Sequence, residues 1–102
     1  MIARIWRGRT VAARADEYLE YLRATGLDET RATAGNCGVR ILRRVGGEQA
    51  EFLFISFWDS LESIRAFAGE DIERAVYYPK DTEFLLELEP TVAHYETFEF
   101  EE

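Results

Sequence analysis

The pattern of hydrophobic and polar positions predicts β-strands in three stretches of the chain, residues 2–8, 37–45 and 51–58. Residues 2–8 alternate with the period of two that is typical of a strand. The Gly46-Gly47 pair between the second and third stretches is typical of a hairpin turn. Residues 52–58 are apolar on both faces, which favours a strand in the middle of a sheet. A last strand is predicted over residues 91–100, which are rich in β-branched and aromatic residues.

Helical spacing of apolar residues occupies the segments between these strands. The predicted helices span residues 10–24, 61–68, 71–77 and 82–88, and residues 27–35 are predicted to form a loop. Thr10 is expected to cap the first helix, and Gly26 to end it. Asp59 and Glu62 have the spacing of a capping box ahead of the second helix, which Gly69 is expected to end.

The order of these elements predicts an α+β fold of the ferredoxin-like βαββαβ type, with helices on one face of a four-stranded antiparallel sheet. The first and third strands are expected in the centre and the other two at the edges. A length of 102 residues indicates one domain, 1–102. Residues of about 70–90 form a helical insertion before the last strand, which is expected to be a lid or rim.

Both faces of the predicted sheet carry large apolar residues. One assignment places Ala3, Ile5, Leu53, Ile55 and Phe57 against the helices, which leaves Ile2, Trp6, Phe54 and Trp58 on the opposite face. Two tryptophans and a phenylalanine on a bare face make an unusually large apolar patch. The simplest cover is a second copy of the chain packed about a two-fold axis, so a homodimer is predicted.

Charge is distributed unevenly along the chain. Twelve basic and twenty acidic residues give a net charge of −8, with +4 on residues 1–44 and −12 on residues 45–102. An acidic balance argues against nucleic acid as a partner, because neutralising phosphates needs a surplus of Lys and Arg. The asymmetry is expected to become pairing between neighbouring strands, with Arg4 and Glu96 the first pair to examine.

Other classes of protein are excluded by what the composition lacks. The single cysteine, Cys37, and the single histidine, His94, rule out a disulfide framework and a thiolate metal cluster. No apolar run reaches the roughly 18 residues of a membrane span. The first residues lack the pattern of a signal peptide, so a cytoplasmic protein with no membrane partner is expected.

The polar residues among the apolar ones define a candidate site. By strand parity, Arg4 and Ser56 share one face, and His94 and Glu96 join them if Ala93 faces the helices. A buried guanidinium needs a partner, and Glu96 or His94 on the adjacent strand could supply it. Two interpretations stay open: an ion pair within a dimer interface, or a cavity between the two sheets of the dimer in which these polar groups orient an apolar ligand.

Two segments resemble proteins of the antibiotic biosynthesis monooxygenase-like family. Residues 34–43, with Ala-Gly-Asn-Cys-Gly leading into a strand, resemble its P-G-x-x-G segment. Residues 54–64 resemble its third strand, which runs into W-x-S-x-E-A and a helix. The resemblance implies a dimeric α+β barrel. The haem-degrading branch has an Asn on strand one and a Trp and a His near the second helical region. Here strand one has no Asn and the only histidine lies in the last strand, so haem degradation is not expected.

The resemblance also implies oxidation of an aromatic metabolite without metal or flavin. Such an enzyme must deprotonate and hold an electron-rich phenol, which requires a base, an anion partner and an apolar slot. His94 is the candidate base, Arg4 the anion partner, and Trp6 and Trp58 the slot. Further candidates for substrate binding are Phe54, Ser56, Tyr77, Tyr78 and Glu96. No cofactor is expected.

A second class of function fits the same sequence. A non-catalytic dimeric module, binding a ligand or associated with stress, would use the same polar residues only to fix its interface. The size of any cavity distinguishes the two, because a site for a drug-sized molecule has on the order of 300 Å³.

Overall fold

Four strands form one antiparallel sheet in the structure, a computed structural model that describes residues 1–101. They are β1 (Ile2–Val11), β2 (Asn36–Gly46), β3 (Gln49–Trp58) and β4 (Ala93–Glu96). Their order in the sheet is β2-β3-β1-β4, with β1 and β3 in the centre. The α+β, ferredoxin-like architecture predicted from the hydrophobic pattern is confirmed, and so is the placement of the strands.

The first helical segment differs from its prediction at both ends. It consists of a 3₁₀ turn (Ala12–Arg14), α1 (Ala15–Leu22), a π-helical turn (Arg23–Leu27) and α2 (Asp28–Ala32). Thr10 is not a cap, because β1 continues through it to pair with Ala50 of β3. Gly26 does not end the helix, and the predicted loop at 27–35 is largely α2. The pairing of β1 with β3 outweighs the local preference of Thr10 for a helix N-cap.

The second helix, α3 (Leu61–Ala68), has the predicted bounds but a different cap. Ser60 is the N-cap, and its hydroxyl accepts a hydrogen bond from the backbone N–H of Ser63 at 3.2 Å. Asp59 instead accepts the Ser63 hydroxyl at 2.6 Å. The expected capping box is therefore wrong by one residue, while Gly69 ends the helix as predicted.

Residues 69–92 form an irregular segment over the covered face of the sheet. The predicted helix at 71–77 is absent, because this stretch pairs with the far end of the same segment: Ala75 N–H donates to the Pro90 carbonyl at 2.9 Å. Of the helix predicted over residues 82–88, only the single turn α4 (Asp81–Phe84) forms. The last strand is also shorter than predicted, since β4 ends at Glu96. No helix within residues 1–101 is long and apolar enough to cross a membrane.

The helices cover the sheet face opposite to the one predicted. Trp6 and Phe52 pack with Tyr18 and Leu22 of α1 in the buried core. Gly8 makes room on this face: a Cβ there would lie 2.7 Å from Trp6 Cζ2. The helix-free face instead carries alternate residues of the central strands, namely Ala3, Ile5, Leu53, Ile55 and Phe57. The predicted assignment of faces is therefore wrong: the residues expected against the helices form the bare apolar face.

Candidate functional site

A cavity of about 50 Å³ lies between the helices and the covered face of the sheet. It is partly open to solvent and mostly apolar. The sheet contributes Arg4, Trp6, Phe54 and Ser56, the helices contribute Tyr18, Leu22, Gly26, Thr30 and Phe67, and the segment 69–92 with its end at β4 contributes Val76, Tyr78 and Val92. The cavity therefore lies between the sheet and the helices of one protomer, not between the two sheets of a dimer as predicted. The segment predicted to be a lid or rim forms one of its walls.

Arg4 is a buried cation in the wall of this cavity, with only 4% of its surface exposed. Its Nη2 donates to the carbonyl of Arg74 at 2.9 Å, and its Nη1 donates to the carbonyl of Ile72. The guanidinium also lies 5.8 Å from the centre of the Phe67 ring. Burial lowers the pKa of Arg4 to about 10, so the side chain remains charged at neutral pH.

His94 is the side chain that meets Arg4 across the strands. The two residues are directly paired between β1 and β4, and Arg4 Nη1 lies 3.1 Å from His94 Nε2. Because the guanidinium can only donate, Nε2 is the acceptor and the ring proton lies on Nδ1. Burial and, secondarily, the charge of Arg4 lower the pKa of His94, which favours the neutral ring at pH 7. His94 itself is outside the cavity lining.

Glu96, the other predicted partner of Arg4, forms no ion pair with it. It pairs with Ile2 at the end of β4 and is exposed. No ion pair joins Arg4 to Glu96 in the part of the chain that the structure describes. The expected pairing between the basic and acidic halves occurs elsewhere, for example between Arg7 and Glu51 at 2.7 Å across the central strands.

The predicted aromatic residues divide into two groups. Trp6, Phe54 and Tyr78 line the cavity, as does Ser56. Trp58 and Tyr77 do not line the cavity but form hydrogen bonds with residues that do. Trp58 is fully buried against Phe67, with ring centres 5.7 Å apart, and its Nε1 donates to the Ser56 hydroxyl at 2.8 Å.

Tyr77 supports the opposite side of the site. Its hydroxyl accepts a hydrogen bond from Trp6 Nε1 at 3.3 Å and donates to the carbonyl of Glu89. The hydroxyl is therefore already engaged and holds the indole of Trp6 in place. The structure thus brings together Arg4, Trp6, Phe54, Ser56 and Tyr78 of the residues predicted from the sequence.

Two hydroxyl groups in the cavity wall have no hydrogen-bond partner within residues 1–101. They are Thr30 Oγ1 and the Tyr78 hydroxyl, and both atoms are buried. Burial and, secondarily, the neighbouring carboxylate of Glu29 raise the pKa of Tyr78, so its hydroxyl keeps its proton at neutral pH. A buried hydroxyl without a partner costs free energy that a bound water or a polar ligand atom can recover.

Sequence reasoning missed the helical side of the cavity. Thr30 was expected in a loop and Gly26 at a helix end, whereas the π-helical turn carries the helix past both. The Gly26 backbone lies against Tyr78 and Phe54, because a Cβ there would be 3.7 and 3.9 Å from their rings. A π-helical turn has no reliable sequence signature, although such turns occur frequently at functional sites.

Two solved structures share this fold over the whole chain. One is an arginine-to-serine variant of MhuD with two manganese protoporphyrin IX molecules bound per active site. It has a TM-score of 0.60 and 21% sequence identity, covering 100% of this chain and 99% of that one. The other is the haem-degrader MhuD from Mycobacterium tuberculosis with two haems bound in its active site. It has a TM-score of 0.61 and 21% identity, and covers 100% of both chains.

These structures show that this chain shares the fold of MhuD. The resemblance found in the sequence is thereby confirmed at the level of fold. No protein-family model matches the chain, and no curated protein matches it.

Proposed function

We propose that this chain forms a homodimeric α+β barrel that oxidises a small aromatic molecule with dioxygen, using no metal or organic cofactor. The observation that carries this proposal is the apolar cavity with a buried guanidinium in its wall. An aromatic ring would contact Phe54, Phe67 and Val92, while Arg4 would stabilise an oxygen anion that forms on the ring. A fixed cation in a mostly apolar wall stabilises developing charge strongly.

The substrate itself supplies the electrons in this proposal. A methylene group activated by neighbouring phenol rings reacts with one O₂ to give a carbonyl group and one water, so the step balances without an added reductant. The protein has to favour the deprotonated substrate and orient it. Arg4 favours the anion, and His94 is the candidate base, which would have to exchange its contact with Arg4 for one with the substrate.

Haem, the molecule that the structural neighbours bind, does not fit the residues present here. The cavity-facing side chains of β1 are Arg4 and Trp6 rather than an asparagine, and α3 contributes Phe67. The only histidine is on β4, with its Nε2 held by Arg4. A cavity of about 50 Å³ is also far smaller than a porphyrin. We therefore do not propose haem as the substrate.

Non-catalytic binding of a ligand is the second candidate, and the geometry of His94 favours it. Its Nε2 already accepts from Arg4 and the ring lies outside the cavity lining, so no free base faces the ligand. The cavity is also smaller than the roughly 300 Å³ of a typical small-molecule site. A bound ring would require the segment 69–92, which contains only one helical turn, to move outward.

Oxygen uptake distinguishes the two candidates. We expect the protein to accelerate O₂ consumption, measured with an oxygen electrode, by at least one member of a panel of phenols of one to three rings, including 1,8-dihydroxyanthrone. Arg4→Gln should reduce the rate about 100-fold or more, which is the usual effect of removing one group that stabilises an oxyanion.

Arg65→Gln is the matched control, because Arg65 is an exposed arginine on α3. This variant should retain the full rate. If no phenol reacts faster with the protein than without it, the oxygenase proposal is wrong. Line broadening of the same phenols in ligand-observed NMR would then support the binding module instead.

The bare sheet face supports the homodimer in this proposal. Leu53, Ile55 and Phe57 of β3 are only half-buried there, and Leu42 and Tyr95 at the two edges of the sheet are 46% and 56% exposed. The face is continuous across all four strands, since Leu42 pairs with Leu53 and Tyr95 with Ala3. A self-complementary apolar face of this kind fits a two-fold interface.

Ile5→Glu should convert the dimer to a monomer. Ile5 pairs with Ile55 and Ala93 on the bare face, so the variant would bury in the interface two carboxylates that have no cation directly opposite them. Light scattering coupled to size-exclusion chromatography at micromolar concentration measures the mass. Leu61→Glu on the exposed side of α3 is the control and should remain dimeric. A wild-type protein that is monomeric in this measurement would refute the dimer.

A further inference from the structure

We infer that the ligand of the cavity is a small aromatic carboxylate with a second oxygen at the far end of its ring. The carboxylate would bind Arg4, and the second oxygen would bind Tyr78 and Thr30. This inference rests on the proposed function, which places an aromatic molecule in the cavity, and it specifies the polar groups of that molecule.

The first argument is the charge of Arg4. The side chain is 4% exposed, yet no carboxylate in the described part of the chain lies within ion-pair distance of it. The arginines that do form ion pairs lie at the surface, as Arg7 does with Glu51. A buried cation whose partners are two carbonyls and a neutral imidazole leaves a net positive charge in the cavity wall. An anionic ligand would compensate this charge.

The second argument is the number of donors that Arg4 has left. A guanidinium carries five N–H groups. Two of them, on Nη1, point to Ile72 and His94, and one on Nη2 points to Arg74. The Nε–H and the second Nη2–H make no hydrogen bond within residues 1–101. Two free donors on neighbouring nitrogens can bind the two oxygens of a carboxylate.

The third argument is a pair of hydroxyls in the cavity wall. Thr30 is fully buried and its Oγ1 has no hydrogen-bond partner in the described chain. The Tyr78 hydroxyl is also buried without a partner within hydrogen-bond distance, although the carboxylate of Glu29 is close enough to raise its pKa. Each hydroxyl can donate and accept, so a ligand hydroxyl or carbonyl could satisfy them. Polar atoms left unsatisfied in an otherwise apolar wall are typical of groups that recognise a ligand.

The sheet register gives the spacing of the cavity residues along β3. Arg4 pairs with Ser56, and the Tyr78 ring lies with Phe54 against the backbone of Gly26. Phe54 and Ser56 are two residues apart on β3, which is about 7 Å along a strand. A benzene ring with substituents at opposite positions spans a comparable length, and the segment 69–92, which carries Tyr78, would move outward to admit it.

Calorimetric titration of wild-type protein with a matched pair of ligands tests the anionic end. Benzoate and benzamide have nearly the same shape but differ in charge. We expect benzoate to bind at least tenfold more tightly, since hydrogen bonds to a charged group are the stronger kind. Arg4→Gln should remove this preference, Arg4→Lys should retain part of it, and the exposed control Arg65→Gln should retain all of it.

A second matched pair tests the far end. 4-Hydroxybenzoate should bind several-fold more tightly than benzoate to the wild type, and Tyr78→Phe with Thr30→Val should abolish that gain. The preference for benzoate over benzamide should survive in this double variant, because Arg4 is unchanged. Circular dichroism establishes that each variant is folded. The ratios of ligand affinities measured on the wild-type protein do not depend on any variant.

Equal binding of benzoate and benzamide to the wild type would overturn this inference and leave the proposed function standing, because a neutral aromatic molecule would then occupy the cavity. Failure of every ligand to bind would also overturn it. Oxygen uptake with the phenol panel decides the proposed function separately in that case. A benzoate preference that persists undiminished in Arg4→Gln would show that the carboxylate binds elsewhere and would equally refute the inference.

Discussion

Replacing Trp58 by alanine should lower the free energy of unfolding by about 3–5 kcal/mol, the usual cost of removing a fully buried indole. None of the Trp58 side chain is exposed, and its ring packs 5.7 Å from the centre of Phe67. The variant also removes the donor to the Ser56 hydroxyl. Urea denaturation followed by circular dichroism measures the change, because the second indole, Trp6, complicates a fluorescence signal.

Two variants separate packing from the hydrogen bond of Trp58. Trp58→Phe retains an aromatic ring against Phe67 but not the N–H, so it should cost about 1–2 kcal/mol. Phe98→Ala removes an aromatic side chain that is 72% exposed and should change the stability by less than about 0.5 kcal/mol. If Trp58→Ala unfolds with nearly the wild-type free energy, the indole does not support the cavity wall in the way described.

Replacing Asp81 by alanine should cost about 2–4 kcal/mol, because it leaves two buried donors without an acceptor. Asp81 is 3% exposed, and its carboxylate accepts the Tyr18 hydroxyl at 3.0 Å and the Tyr78 backbone N–H at 2.6 Å. Tyr18 itself is 1% exposed, so water cannot replace the lost acceptor. Through these bonds Asp81 ties the segment 69–92 to α1 and holds Tyr78 at the cavity.

A double-mutant cycle with Tyr18→Phe tests this explanation of Asp81. Once the Tyr18 hydroxyl is absent, removal of Asp81 no longer leaves it unsatisfied, so the two changes together should cost less than the sum of the two alone. Chemical denaturation at constant pH provides all four free energies. Strictly additive changes would contradict the direct bond between the two side chains.

The pH dependence of stability provides a second test of Asp81. Burial raises the pKa of its carboxyl above 3.8, and the hydrogen bonds from Tyr78 and Tyr18 only partly oppose this. The native state therefore binds the proton more tightly than the unfolded chain does. Relative to Asp81→Asn, which does not titrate, the wild type should gain stability as the pH falls through the folded pKa toward 3.8. A difference between the two proteins that does not change with pH would argue against a raised pKa.

The candidate site could be predicted only in part, and the reason is visible in Arg4. The pairing of Arg4 with His94 follows from strand order, which the order of elements along the chain determines. The remaining partners of Arg4 are backbone carbonyls of residues 72 and 74, in a segment predicted to be helical. In a helix most of those carbonyls would be engaged internally, so no sequence pattern pointed to them.

The helical wall of the cavity was missed for a different reason. Gly26 is a good helix terminator in isolation, yet the π-helical turn carries the chain through it into α2. Burial of Thr30 against the covered face and the close approach of Tyr78 to the Gly26 backbone outweigh the local preference. Tertiary packing of this kind routinely overrides propensity.

The sequence by itself determined the strands, their order and the presence of one apolar face more than a single protomer can cover. Alternating patterns set the strands, and short connections leave few ways to arrange them in one sheet. Only the tertiary structure decided which face is covered, because β3 is apolar at odd and even positions alike and parity alone cannot choose between them. The choice follows from bulk: Gly8, Thr10 and Ala50 leave space on one face for Tyr18 and Leu85, and that space is filled by the helices.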